Sequence, residues 1–224
     1  MQSRDLLETV QMKINNQILS EVAAYVTKYL NSQLSKDYYY HSLSHTISVV
    51  NAVDLLSSTI GIDEANKRNL LVAAWFHDTG FTKQTFEHEK EGAIIAGNFL
   101  KSKNINDKEI TIIVDCILAT KVPQKPENLL QQIMCDADLL YLAEANMIER
   151  SNLLRREWAT ILNKTYTDKE WYELNIQFLT SHTFHTKYCR DQFDSFKWSN
   201  IKKLIVKLEE LANDTFSSRN NIAA

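Results

Sequence analysis

The sequence has very few of the residues that tight turns require. Only four glycines and two prolines occur among its 224 residues. β-Hairpins need glycine, or residues that tolerate similar backbone angles, at their turns. The shortage therefore argues against a chain built of hairpins, and it predicts an all-α protein.

Cysteine is scarce as well. The three cysteines are far apart in sequence and form no Cys-x-x-Cys pair. An odd number without paired spacing argues against a disulfide framework and against a structural zinc site. We interpret Cys116, Cys135 and Cys189 as small core residues of a protein in a reducing compartment.

Long apolar runs and clusters of one charge are also missing. No stretch approaches the ~20 apolar residues that span a bilayer, and the first ten residues carry charges where a secretory signal is apolar. We expect a cytoplasmic protein without membrane contact. The formal net charge is −3 at pH 7, whereas non-specific nucleic acid binding requires clustered lysine and arginine. We therefore expect no stable nucleic acid complex.

The chain does have apolar residues at helical spacing along most of its length. An apolar residue every three or four positions indicates one face of an amphipathic helix. In the first helix, over residues 5–30, this stripe consists of Leu6, Leu7, Val10, Ile14, Ile18, Val22, Val26 and Leu30. Further helices are predicted at about residues 43–60, 63–77, 87–103, 107–121, 129–143, 146–164, 167–181 and 191–212.

Local signals mark several helix ends. Gly61 is expected to end the second helix, and Asp63 is expected to cap the third. Thr167 and Glu170 have the spacing of a capping box that opens a later helix. No linker rich in proline, glycine or serine interrupts the chain, so we predict a single domain.

Acidic and histidine side chains that can bind a metal lie within or directly after two of the apolar segments. His77 and Asp78 follow "AAWF", although a solvated helix end would explain this pair equally well if it stood alone. Asp136 and Asp138 occur inside an apolar helix. A carboxylate is costly to bury there unless it is paired or bound to a cation.

Two further histidines could complete a metal site. His41 and His45 are four residues apart, so they would share one helix face if both are helical. Two imidazoles and two carboxylates form a mixed nitrogen and oxygen site suited to manganese, iron, cobalt, nickel or zinc. Such a site leaves coordination positions open for water and substrate.

Five segments carry motifs in a fixed order: "YHSLSHTISVV", "LVAAWFHDTGF", "HEKEGAIIAGNFL", "ILATK" and "MCDADLLYLA". Together they cover about residues 38–145, and the combination resembles the HD-domain superfamily of metal-dependent phosphohydrolases. The resemblance implies an HD-domain-like helical bundle with residues 1–145 as its metal-binding core. Residues 146–224 would be a C-terminal helical extension packed on that core within the same domain.

The resemblance implies four metal ligands: His45, His77, Asp78 and one aspartate of "DAD". We assign Asp138, because the family's last ligand usually follows an alanine. Asp136 would then orient a histidine or a water, and the reverse assignment stays open. Family members with two metals use a histidine at the position of His88 and a further histidine downstream. No histidine occurs here between His88 and these aspartates, so the resemblance implies one divalent ion. Manganese, magnesium, iron, cobalt, nickel and zinc all remain candidates.

The resemblance also implies catalytic and substrate-binding roles. Asp78 would hold the attacking water, and His41 would donate a proton to the leaving oxygen, as the first histidine of this motif does in some relatives. His88 would contact the phosphate. Apart from the resemblance, Lys83 and Lys121 are placed to supply positive charge to the same group. For each lysine, a solvated position at a helix end is the alternative.

These features predict a metal-dependent phosphohydrolase acting on a small-molecule phosphate ester, with a nucleotide as the favoured case. Three alternatives stay open: a catalytically silent nucleotide-binding or sensor module with the same metal site, a non-heme iron oxygenase, and a helical bundle with incidental histidines. The C-terminal helices would cover the cleft or form a homodimer contact. There, His182 and His185 would line the cleft, bind a second ion or serve as packing residues.

Overall fold

The structure is a computed structural model that describes the backbone of residues 2–222 and the side chains of residues 17–213. Over this range the chain forms helices and no strand, which confirms the all-α prediction. The α-helices are α1 (Gln2–Gln33), α2 (Leu43–Ile60), α3 (Glu64–Phe76), α4 (His88–Ser102), α5 (Asp107–Ala119), α6 (Leu129–Asp138), α7 (Met147–Ile161), α8 (Asp168–Ser181) and α9 (Lys187–Ile222). Short 3-10 turns occupy Thr79–Thr82 and Leu140–Ala143.

The apolar stripe predicted for α1 is confirmed where its side chains are described. Val22, Val26 and Leu30 are buried and Ile18 is half-buried, as an amphipathic helix against a core requires. The earlier members of the stripe lie outside the described side chains; they are Leu6, Leu7, Val10 and Ile14.

The predicted helix signals are confirmed. Gly61 follows α2 with a φ of 83°, a left-handed conformation that glycine adopts without steric cost, and its N–H donates to the carbonyl of Ser57. The Asp63 side chain caps α3 by accepting from two backbone N–H groups. Thr167 and Glu170 form the complete capping box at the start of α8.

The prediction of one helix over residues 129–143 is wrong. α6 ends at Asp138, and Leu139 leaves the helical conformation with φ −101° and ψ 10°. The residues that follow turn into a separate core, where Tyr141 and Leu142 are buried. An apolar run cannot show this change, because its residues remain apolar on both sides of the break.

The chain divides into two compact units, Met1–Ser35 with His41–Asp138, and Lys36–Tyr40 with Leu139–Ala224. In the first unit, α3 packs against each of the other five helices. Leu70, Ala73, Ala74 and Phe76 are completely buried in it. The end of α3 is therefore held from several sides. That residues 1–145 and 146–224 form one domain stays a prediction.

The second unit has its own core and its own buried polar contacts. Its core residues are Tyr40, Leu139, Tyr141, Leu142, Met147, Leu179, Ile201 and Leu204. The Asn200 amide donates to the carbonyls of Leu142 and Glu144 at 3.0 and 2.8 Å. The buried Trp171 indole donates to the hydroxyl of Ser151 at 3.0 Å. The buried side chains of Asn200 and Trp171 are thus paired, as a stable core requires.

His182 makes the free energy of unfolding of this unit depend on pH. Neither ring nitrogen forms a hydrogen bond within the described part of the chain, and the ring packs edge-on against Phe184 with centroids 4.8 Å apart. Burial, assisted by the charge of Lys197, lowers the pKa of His182 from 6.5 to about 4. The unfolded chain therefore binds this proton more readily, so the unfolding free energy falls as pH drops from 6.5 towards 4.

We expect this effect of His182 to reach about 3 kcal/mol. His182→Phe keeps an aromatic ring but removes the titrating group, so the variant should lose less stability than the wild type between pH 7.5 and 4.5. Urea unfolding of both proteins at the two pH values measures the difference. Equal acid destabilisation of the two proteins would show that another group is responsible.

Candidate metal centre

Four predicted ligands from distant parts of the sequence converge in the first unit. His45 lies on α2, His77 and Asp78 directly follow α3, and Asp138 is the last residue of α6. His45 Nε2 is 3.4 Å from Asp78 Oδ2 and 3.2 Å from Asp138 Oδ1. His77 Nε2 is 3.1 Å and 3.5 Å from the same two oxygens. These side chains, here called the His–Asp cluster, thus alternate nitrogen and oxygen around a ring.

The spacing of the His–Asp cluster fits one divalent cation. Donor atoms that each lie about 2.1 Å from a common ion are roughly 3.0 to 3.4 Å apart in tetrahedral or octahedral geometry. The observed separations of 3.1 to 3.5 Å are close to this range. The donor atoms of His45, His77 and Asp138 also all lie within 4.8 Å of one another.

Two orphaned atoms support the same interpretation. Within the described residues, His77 Nε2 and Asp78 Oδ2 are buried and have no hydrogen-bond partner. Leaving a buried polar atom unpaired costs about 1–3 kcal/mol, and more if it is charged. A cation between these atoms would remove that cost, so the residues fit a divalent metal.

The backbone at the end of α3 fixes the orientation of His77. Its Nδ1–H donates to the carbonyl oxygen of Ala74 at 2.8 Å. That carbonyl belongs to the last turn of α3, where carbonyls have no partner within the helix. The bond directs Nε2 towards the His–Asp cluster, which is the usual arrangement of a metal-binding histidine.

The protonation states also favour a cation. Burial raises the pKa of Asp78 and is the largest single influence, but nearby imidazoles, above all His77, outweigh it and hold the pKa below 3.8. Burial likewise raises the pKa of Asp138, yet His45 and His77 lower it overall. Burial lowers the pKa of His45, which keeps this imidazole neutral at pH 7. Two ionised carboxylates thus face the same space, and their charge favours a divalent ion.

His77 differs from His45 in the direction of its pKa shift. Burial, the largest influence, lowers the pKa of His77, but the charges of Asp78 and Asp138 outweigh burial and raise it well above 6.5. Without a metal, the two carboxylates therefore favour a proton on His77. A bound ion would take the place of this proton, since ligand binding requires the neutral imidazole.

The structure brings two further predicted residues to this cluster. His88 opens α4, and its Nε2 lies 3.6 Å from Asp78 Oδ1. His41 precedes α2, whose N-cap is Ser42, so the condition that both His41 and His45 are helical is not met. The rings of His41 and His45 nevertheless have centroids 6.0 Å apart. The bends at residues 39–42, rather than a shared helix face, place His41 beside the cluster.

The two predicted phosphate-binding lysines have other surroundings. Lys83 is exposed, and its ammonium group forms no hydrogen bond or ion pair with the described residues. Lys121 is also exposed, and its Nζ lies 3.3 Å from Glu87 Oε1. Glu87 pairs with Lys90 as well, at 2.7 Å. A phosphate role for either lysine stays a prediction.

The structure distinguishes the two aspartates of "DAD", and it places His182 and His185 in the second unit. Asp138 provides an oxygen to the His–Asp cluster, whereas Asp136 is completely buried on α6. Positions two apart on a helix point about 200° from each other, so both cannot face one ion. Among the described side chains, His182 and His185 belong to no group of three metal-capable residues.

Three residues near the cluster had not been identified from the sequence. A Cβ on Gly80 would lie 1.8 Å from the His88 carbonyl oxygen, so only glycine lets the turn approach α4 this closely. Phe81 packs against His41 and His88. Glu89 is buried, with Oε1 3.6 Å from His88 Nε2. The scarcity of glycine was the one sequence signal that could have drawn attention to Gly80.

The described part of this all-α chain thus holds two imidazoles and two carboxylates around one space, a donor set that fits a metal ion. The sequence model of the HD domain family matches residues 42–142, and this range includes the whole His–Asp cluster. The chain therefore contains an HD domain, which confirms the predicted superfamily. HD domains bind divalent metals. The family match suggests that the chain is of the metal-dependent phosphohydrolase class.

The other comparisons add no relative. A search of the curated proteins and a search of the solved structures each found no match to the chain. Among the described residues, no helix combines the length and the apolar composition that a membrane crossing requires.

Proposed function

We propose that the protein is a metal-dependent phosphohydrolase that cleaves a small phosphate ester, with nucleotides as the favoured substrates. The observation that carries the proposal is the buried ring of alternating donors, in which His77 Nε2 and Asp78 Oδ2 have no hydrogen-bond partner among the described residues. The match of residues 42–142 to the HD domain family supports the reaction class. We favour nucleotides because of the resemblance between the motifs of this chain and those of the family.

In this proposal, His45, His77, Asp78 and Asp138 hold one divalent ion. When bound, such an ion polarises a phosphoryl oxygen and lowers the pKa of a coordinated water. Asp78 has a second oxygen, Oδ1, on the side of His88, where it can accept a hydrogen bond from the attacking water and orient it. His88 and Asp138 retain 18% and 15% exposure of their side chains, so solvent and substrate can reach this side of the cluster.

His41 is the proposed general acid. Its ring lies 6.2 Å from that of His88 and 6.0 Å from that of His45, measured between centroids. It therefore borders the cluster without completing the ring of donors. A proton from His41 to the leaving oxygen would neutralise the charge that develops there as the ester bond breaks.

Replacing His41 with alanine should separate proton donation from metal binding. We expect kcat to fall by roughly 100-fold or more for an alkyl phosphate, whose leaving group needs a proton. For a nitrophenyl phosphate, whose leaving group departs unprotonated, kcat should fall much less. Metal content per chain should equal that of the wild type. An equal fall in kcat for both substrates would show that His41 is not the general acid.

The test of the function combines metal analysis with a screen for phosphate release. The purified protein is stripped by a chelator, reloaded with manganese, iron, cobalt, nickel, zinc or magnesium, and assayed on nucleotides, cyclic nucleotides and nitrophenyl phosphate. We expect one ion per chain, and we expect hydrolysis of a phosphate ester to require this ion. Tight nucleotide binding without cleavage under every metal would instead identify a catalytically silent sensor module.

A further inference from the structure

The aromatic ring of Phe81 contacts both histidines that border the His–Asp cluster. Phe81 stacks on His88 with ring centroids 3.7 Å apart and an interplanar angle of 19°. It packs against His41 at 4.2 Å with an angle of 31°. The two imidazoles are 6.2 Å from each other. Each histidine is therefore closer to Phe81 than to the other.

The contact with Phe81 restricts the tilt of the His88 ring, which the hydrogen bond of His88 does not fix. The Nδ1–H of His88 donates to the carbonyl oxygen of Thr85 at 3.2 Å. One hydrogen bond sets the direction of an imidazole nitrogen, but the ring can still tilt about that direction. Stacking on the flat face of Phe81 restricts the tilt, because aromatic rings prefer defined offset geometries. Nε2 then stays 3.6 Å from Asp78 Oδ1.

The backbone turn places Phe81 in this position. Phe81 lies in the 3-10 turn Thr79–Thr82 and is only 6% exposed. The neighbouring Gly80 allows the turn to approach the start of α4, since a Cβ there would lie 1.8 Å from the His88 carbonyl oxygen. Residues 78–81 thus include Asp78, the glycine that approaches α4 and the ring that contacts both histidines.

We propose that Phe81 is a positioning residue that sets the orientations of His41 and His88 relative to Asp78. This inference rests on the proposed phosphohydrolase function for its effect on catalysis, but the orienting contact itself can be tested without any activity. The critical comparison is between Phe81→Leu, which fills much of the space without a flat face, and Phe81→Tyr, which keeps the ring.

The first experiment records histidine ring signals by NMR in the metal-free protein, assigned with the His41→Ala and His88→Ala variants. In Phe81→Leu, loss of the aromatic ring current should move the signals of both His41 and His88, whereas Phe81→Tyr should leave them near their wild-type positions. The signals of His182, in the second unit, serve as the internal reference. Unchanged His41 and His88 signals in Phe81→Leu would overturn the proposal.

The second experiment measures kinetics in metal-loaded protein. Phe81→Leu should lower kcat by about 10- to 100-fold for an alkyl phosphate, the range expected when a catalytic group is displaced. A nitrophenyl phosphate should be affected less, metal content should be unchanged, and Phe81→Tyr should restore most of the rate. In a His41→Ala background, Phe81→Leu should cause a smaller loss, because residues that act together are not additive.

The outcomes separate this inference from the proposed function. If no phosphate ester is cleaved but the His41 and His88 signals move as described, the proposed function fails while the contact of Phe81 with both rings stands. Suppose instead that esters are cleaved and that Phe81→Leu lowers kcat equally for both substrates, or lowers kcat only in proportion to the metal that is lost. Phe81 is then an ordinary core residue, and the inference is wrong.

Discussion

Replacing Asp138 with asparagine should weaken divalent metal binding by more than about 100-fold and lower kcat/KM by roughly 1,000-fold. The asparagine side chain has nearly the same shape, but it lacks the negative charge that faces His45 and His77 at 3.2 and 3.5 Å. Its amide oxygen is a poor ligand for a transition metal compared with a carboxylate. Metal titration by calorimetry and ester hydrolysis measure the two effects.

Asp136→Asn is the matched control for this prediction. It makes the same chemical change two residues away on α6, at a completely buried position. A group that acts behind the ligands typically changes metal affinity by about 10- to 100-fold, so we expect a loss at or below the lower end of that range. If Asp136→Asn abolished metal binding and Asp138→Asn did not, the last ligand would be Asp136, the assignment that the sequence left open.

Replacing Gly80 with alanine should destabilise the protein by about 3 kcal/mol, near the upper limit for inserting a methyl group into a packed region. The new Cβ would lie 1.8 Å from the His88 carbonyl oxygen and 2.8 Å from the Gly92 nitrogen. Both are backbone atoms, so the turn and α4 must move apart. This displacement would also move His88 away from Asp78, so metal-dependent activity should fall with stability.

Gly97→Ala, in α4, provides the control. Nothing lies within 4 Å of a Cβ at Gly97, and alanine is favoured over glycine in a helix by about 0.5–1 kcal/mol. We therefore expect this variant to be slightly more stable than the wild type and fully active. Thermal and urea unfolding of the two variants measure the contrast. A Gly80→Ala protein as stable as Gly97→Ala would contradict the close approach between the turn and α4.

Several features of the fold could be predicted because their causes lie within a few residues. The capping box of Thr167 and Glu170 satisfies backbone groups of its own first turn. Gly61 ends α2 because it adopts a positive φ. Such signals do not depend on the rest of the molecule. The break after Asp138 is different, since Leu139 leaves the helix where the chain joins a second core, and nothing local announces it.

The composition and motifs of the sequence determined that the chain is all-α, where most helices begin and end, and which residue types could bind a metal. Only the tertiary structure placed His45 beside Asp138, 93 positions away, brought His41 to the cluster from outside a helix, and stacked Phe81 on His88. The physical reason is the distance in sequence between the residues that interact. Backbone angles and caps are set by neighbours in sequence, whereas a donor set or a ring contact exists only when packing fixes separate segments within a few ångströms.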